Sequence, residues 1–267
     1  MRMANRQNVL QVIGQHPRAI GAVSVLGTIA LWSFLTRPGT PLSGVLAPPG
    51  ELVEELWKLL QNGYMGTPLW KHFEVSLLRT MSGFIAGSTT GILVGLAMGY
   101  STIASAALAP FFSFVRPIPA IAYIPMVILW FGIGEFSKVL VIFLSSFLYV
   151  SMNTSAGVKA VPPDLIRVAQ TFGASHRQLF MYVIFPESLP YVFLGLKVGL
   201  ALSWAVVVAS ELVAAQSGLG YMIMDAATFF RIKDVYIGVF LIGLVGLLLE
   251  TVLVLVERQV VHWSGKS

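Results

Sequence analysis

The 267-residue sequence contains no cysteine, and only 11% of its residues are charged, against roughly 25% in a soluble globular domain. Without cysteine there is no disulfide, no thiolate nucleophile and no Cys-ligated metal. The shortage of charge excludes an ordinary soluble fold, because a soluble surface of this size needs charged side chains to cover it. No run or helix rich in Lys and Arg occurs, so the formal net charge of +5 and the pI near 9.6 carry no nucleic-acid footprint. A Gly-x-x-x-x-Gly-Lys-[Ser/Thr] phosphate loop is also absent, so this chain does not hydrolyse ATP by that route and energy for any work must come from elsewhere. The histidines at 16, 72, 176 and 262 fall at terminal or loop positions with no second ligand at metal spacing, and Ser, Asp and Glu are not grouped as a hydrolase requires.

What is present is apolar: 56% of residues, with a mean hydropathy of +0.81. The composition and its spacing predict an all-α polytopic membrane protein of about six transmembrane helices and one domain. Expected spans cover residues 19–36, 73–100, 103–131, 137–158, 189–212 and 235–256. The first follows Arg2, Arg6 and Arg18 and carries Trp32, Phe34 and Leu35 where a cleaved leader would carry small residues, so it reads as a retained span. Pro117, Pro119 and Pro125 break the third into two pieces. In the second, Gly83, Gly87, Gly91, Gly95 and Gly99 recur every four residues, the pattern of a tight helix-packing seam, either static or moving. Residues 49–61 form an amphipathic surface helix, with Leu52, Val53, Leu56, Leu59 and Leu60 on one face and Glu51, Glu54 and Glu55 near its start. Six crossings put both termini on one side. The slight excess of cations there, including Lys159, Arg167, Arg177, Arg258 and Lys266, makes that side cytoplasmic.

One cytoplasmic segment, 162–186, is longer than a connector needs to be. Its prolines and Asp164 suit a helix start, Gly173 suits a left-handed helix end, and Ser175 with Gln178 forms a capping box for a second helix that Pro186 stops. A stiff helix–turn–helix between two spans implies docking to a partner. The stretch from Arg167 through Ala169 and Gly173 to Val183-Ile184-Phe185-Pro186 resembles the signature loop of ABC importer permeases, whose usual form is Glu-Ala-Ala, three residues, Gly, nine residues, Ile-x-Leu-Pro. Ala169, Gly173 and Pro186 match, while Arg167, Val168, Val183 and Phe185 depart, so an ion pair made by the family's Glu does not carry over. The stretches Arg116-Pro117-Ile118-Pro119 through Gly132-Ile133-Gly134-Glu135 and Ala209-Ser210-Glu211-Leu212 through Gly218-Leu219-Gly220-Tyr221 are similar to the nitrate, sulfonate, taurine and bicarbonate branch.

The resemblance implies a type I importer fold. It also implies a second permease copy in a homodimer or heterodimer, two cytoplasmic ATPase subunits that bind ATP in place of any cofactor on this chain, and an extracytoplasmic solute-binding protein. Arg167, Ala169, Gly173, Ala174 and Pro186 become the candidates for coupling to the ATPase, and a small anionic solute of the taurine, sulfonate, nitrate or bicarbonate class becomes the cargo. The rival reading is an ion-coupled transporter or channel acting without an ATPase, for which two repeated halves and a protonatable group in a broken helix are missing signs.

Charges in or beside the spans are Arg79, Arg116, Lys197, Glu211 and Glu250. Such residues are costly in hydrocarbon and face a cavity, a partner or the interface. Arg116, at the proline break, is a candidate for the pathway wall or gate, or else caps carbonyls freed there. Arg79 and Lys197 either snorkel or bond between helices. Glu211, near the outer end of its span, pairs with a cation or accepts loop N–H groups, and with Arg79 and Arg116 completes the set of pathway candidates.

Overall fold

A glycine every four residues leaves a helix with one smooth flank, and in the computed structural model that flank is filled by a second helix. The structure describes residues 17–40 and 46–263; Arg2, Arg6, His16 and Lys266 lie outside the described residues. The helices are α1 (Pro17–Leu35), α2 (Pro49–Asn62), α3 (Leu69–Tyr100), α4 (Thr102–Val115), α5 (Tyr123–Phe131), α6 (Glu135–Lys159), α7 (Pro163–Thr171), α8 (His176–Leu179), α9 (Phe185–Ala214), α10 (Leu219–Thr228) and α11 (Ile232–Val260).

The glycine stripe of α3 packs on α6. Gly83 faces Ile142, Gly87 faces Ser146, Gly91 faces Val150, Gly95 faces Thr154 and Gly99 faces Val158. The offset is constant (142 − 83 = 158 − 99 = 59), so the two helices run parallel in one register over five contacts. A methyl group at Gly95 would sit 2.5 Å from the Ser151 carbonyl oxygen, and one at Gly87 2.5 Å from that of Phe143, so glycine is required by the backbone approach itself. The other flank of α6 meets α9 in antiparallel sense, where Gly157 lies against Tyr191, and Gly195 and Gly199 lie against Val150. Thus α6 is the buried centre of a three-helix layer. Outside α9 lies α11, joined to it by the Trp204 indole N–H donating to the Ile242 carbonyl at 3.0 Å and by the Lys197–Glu257 ion pair at 2.9 Å.

Among the described residues, the segments 69–100, 135–159, 176–214 and 232–260 are long and apolar enough to cross a membrane, and the bent pair 102–131 is a fifth candidate. The apolar stretch Ile20–Leu35 of α1 is shorter. The bend of 79° falls where Pro117 and Pro119 withdraw two backbone donors. The strongly amphipathic α2 runs one residue beyond the expected surface helix.

Two expectations are corrected. Pro186 does not stop a helix: the chain passes from α8 through a π-helical turn over Phe180–Ile184 into α9, which also contains Pro190. The wider turn accommodates the donor that Pro186 lacks, so the helix continues through the proline. His72 is not in a loop: α3 begins at Leu69 and buries this ring, because the span extends one turn beyond its apolar run to bring polar side chains inward.

Candidate functional site

At the end of the layer where α3 and α6 begin and α9 finishes, four charged side chains meet. His72, Ser76 and Arg79 recur at helical spacing on α3, continuing the glycine stripe with polar groups. Glu211 stands three residues before the end of α9, and Glu135 and Lys138 occupy the first turn of α6, where the helix dipole favours the carboxylate. The Arg79 side chain is 5% exposed and that of Glu211 fully buried. Arg79 Nη1 donates to Glu211 Oε1 at 2.8 Å and to the Ser217 carbonyl at 2.7 Å. Its Nε and Nη2 form a fork on the two Glu135 oxygens, each at 2.6 Å, and Lys138 Nζ adds a third donor to Glu135 at 3.1 Å.

Glu211 is satisfied from every side. The Ser76 hydroxyl donates to it at 2.8 Å, and the Gly220 N–H at 2.9 Å. Ser76 Oγ accepts the Leu219 N–H at 2.9 Å, and His72 Nδ1 lies 3.2 Å from both Gly218 backbone polar atoms. The free donors at the start of α10 are therefore capped by side chains of α3 and α9. Gly218, at φ +122°, turns the loop back onto Glu211, where any side chain would collide with the carboxylate. The buried charges of this cluster, Arg79, Lys138 and Glu211, are each paired or hydrogen-bonded, which is what allows their burial, while Glu135 is largely exposed.

Beside the cluster, the buried Tyr64 hydroxyl donates to Asp225 at 2.7 Å. Burial and the neighbouring carboxylate push this phenol well above its ordinary pKa, so it remains a donor throughout the physiological range. Tyr64→Phe is expected to cost about 1.5–3 kcal/mol, the scale of a hydrogen bond to a charged group, read as a lower thermal midpoint of the protein in detergent.

Of the pathway candidates, the structure brings Arg79 and Glu211 together and leaves Arg116 apart. The Arg116 side chain is exposed at the α4–α5 elbow and, among the described residues, makes no hydrogen bond or ion pair and caps no carbonyl. Glu135, Lys138, Ser76 and His72 do not stand out in the sequence as site residues. The signal available is the polar spacing 72, 76, 79 at the head of an apolar span and the i, i+3 pair Glu135–Lys138. The short helix α10 has no sequence counterpart among the expected elements.

At the opposite end of the layer lies the 160–175 connection. α7 ends in a Schellman motif: Gly173 takes φ +76°, its N–H donates to Gln170 O at 2.9 Å, and the Ala174 N–H donates to Ala169 O at 3.1 Å. The Ser175–Gln178 capping box starts α8. Ile166 and Ala169 pack on Val158, Val161, Leu179 and Ile184, fixing α7 to the ends of α6 and α9. Leu165, Val168 and Phe172 stay exposed, Phe172 at 85%. Arg167 is exposed and faces Asp164 at 3.5 Å, and Pro186 is half-buried at the start of α9.

A bundle of membrane-crossing helices with a rigid exposed knob at one end and a largely buried ionic cluster at the other defines a membrane subunit built to work with partners. The chain belongs to the family of binding-protein-dependent transport system inner membrane components, whose model matches residues 87–262. It is 40% identical to the taurine transport system permease protein TauC of Escherichia coli over 250 residues, 93% of this chain and 90% of that protein. Identity is 34% to the putative aliphatic sulfonates transport permease protein SsuC of Bacillus subtilis, covering 89% and 84%. With the nitrate import permease protein NrtB of Synechocystis it is 31%, covering 100% and 98%. Among solved structures, the inward-facing MetNI methionine ABC transporter aligns with a TM-score of 0.56 at 19% identity, over 78% of this chain and 98% of that one. The likeness shows a shared type I importer permease fold. The protein is an inner-membrane ABC importer permease of the nitrate, sulfonate and taurine branch, and this membership implies an ATPase and a solute-binding protein as partners.

Proposed function

We propose that this permease imports a small anionic solute, with organosulfonates such as taurine preferred over nitrate or bicarbonate, by alternating access driven by two partner ATPases. Two copies of the chain form the pathway as a homodimer, with their termini and the 162–186 segment cytoplasmic, and with an extracytoplasmic binding protein delivering solute to the opposite face. The observation that carries this reading is the rigid knob of α7 and α8 at the head of a helical run from His176 to Ala214. At 1.5 Å per residue that run reaches about 50 Å to Glu211. A push on Ala169, Gly173, Ala174 and the exposed Phe172 is thereby delivered to the Arg79–Glu211 cluster, which closes or frees the outer end. The taurine and sulfonate relatives support the cargo class. Arg116 stands at the elbow of the broken span as a further candidate for the pathway wall.

The test is Gly173→Val in the complex purified with its ATPase and binding protein. A β-branched side chain cannot hold φ +76° without strain of about 1–2 kcal/mol, so the Schellman turn opens and the knob loses its shape. ATPase stimulation by solute-loaded binding protein is expected to fall at least tenfold while the permease remains folded in the membrane. Unchanged stimulation removes the knob from the coupling route. Arg116→Ala, measured for uptake and ATPase turnover together, is expected to lower uptake, and full retention of both assigns Arg116 no part in the pathway.

A further inference from the structure

The ionic cluster is uneven in a way that static reinforcement does not require. Arg79 and Lys138 are both buried, their side chains 5% and 8% exposed, whereas Glu135, the carboxylate between them, is 63% exposed. Two buried cations face one buried carboxylate, Glu211, so without Glu135 the cluster holds one positive charge in excess. Glu135 gives that excess a forked oxyanion contact: both oxygens on the Arg79 guanidinium at 2.6 Å and one on Lys138 at 3.1 Å. This donor set suits any small carboxylate-, sulfonate- or nitrate-like group. The cleft lined by Ser137, Lys138 and Ser210 has about 10 Å³ of free space, room for one water and too small for an anion, whereas the exposed Glu135 marks a solvent-facing approach to the two cations.

We propose that Arg79 and Lys138 form an oxyanion-binding cradle at the outer mouth of the permease, and that the Glu135 carboxylate is a tethered competitor that a solute's oxyanion group displaces. Its exposed side chain is free to swing into solvent, and Glu211 keeps Arg79 in place as it leaves. The cradle is a selectivity device. It rejects neutral molecules, which cannot replace the carboxylate's charge, and it releases its anion when Glu135 returns. This inference rests on the anion-importer reading and assigns that reading a site.

The experiment uses the purified permease–ATPase complex without binding protein, titrated with methanesulfonate or with uncharged dimethyl sulfone, and follows thermal stabilisation to obtain apparent affinities. Removing a tethered competitor of millimolar or higher effective concentration is expected to tighten methanesulfonate binding about tenfold or more in Glu135→Gln. Dimethyl sulfone is expected to bind neither protein, and the gain is expected to vanish in the double variant Glu135→Gln/Lys138→Met. If Glu135→Gln does not assemble, Glu135→Asp carries the test, because its shorter reach weakens the competitor and is expected to yield a smaller gain. No gain in an assembled variant, or equal gains for the charged and neutral probes, overturns the cradle. Uptake by the wild-type complex is measured alongside. Intact oxyanion uptake with no gain sinks the cradle alone, whereas absent oxyanion uptake sinks the importer reading, and the binding curves still judge the cradle.

Discussion

Glu211→Ala is expected to cost about 3–5 kcal/mol and to abolish accumulation of the folded permease, the range for removing one member of a buried ion pair. The loss exceeds a simple deletion because Glu211 is the common acceptor of Arg79, Ser76 and the Gly220 N–H. Without it, the nearly inaccessible guanidinium loses its buried counter-charge and keeps only the exposed Glu135 and the Ser217 carbonyl, and the Gly220 N–H is left unpaired. Arg79→Ala removes the complementary charge and strands a fully buried carboxylate, so a loss of similar size is expected. The Arg79→Met/Glu211→Leu double variant is expected to lose less than the sum of the two single losses, because neither charge is then orphaned. Thermal midpoints of the detergent-purified protein check all three. A single variant as stable as the wild type would mean that the cluster is hydrated and holds nothing together.

The second large effect is expected along the glycine seam. Gly95→Val would drive its Cβ to 2.5 Å from the Ser151 carbonyl oxygen and 2.6 Å from the Thr154 Cβ, contacts that only a shift of α3 or α6 can relieve. Overpacking of this kind costs about 1–3 kcal/mol where side chains can yield, and more where backbone is the obstacle. Because α6 is held on its other flank by α9, it cannot retreat without opening the contacts at Gly195 and Gly199. Loss of the folded protein is therefore expected for Gly95→Val and Gly87→Val. Gly243→Ala, which meets open space on α11, is expected to be neutral. Fluorescence size-exclusion profiles of the variants distinguish them. Tolerance at Gly95 equal to that at Gly243 would contradict the fixed parallel register of α3 and α6.

The local features legible in the sequence are those whose cause is local. The capping box at Ser175, the left-handed Gly173 and the four-residue glycine period each follow from residue types at short spacing, and each stands in the structure as that chemistry dictates. The ionic cluster was only half legible. Arg79 and Glu211 stand out as charges in apolar segments, but that they pair depends on the start of α3 meeting the end of α9, at a sequence separation of 132. Lys138 and Glu135 do not stand out in the sequence, and His72 reads as a loop residue, because burial is set by the helices packed around them. The continuity of α8 into α9 is hidden by Pro186, whose usual meaning as a helix stop fails where a π-helical turn accommodates the missing donor. A sequence pattern reports what a residue does to its own chain, and these cases turned on what neighbouring chains did to it.

Transport as proposed rests on a single coupling, from partner ATPases through the α7–α8 knob and the length of α9 to the Arg79–Glu211 cluster. The most direct measurement is uptake of radiolabelled taurine by proteoliposomes holding the permease and its ATPase, with ATP inside and binding protein outside. The expected result is uptake that requires both ATP hydrolysis and the binding protein, falls at least tenfold in Gly173→Val, and is unaffected by collapsing the proton gradient. Uptake by the permease alone, driven by an ion gradient and indifferent to ATP, would contradict it.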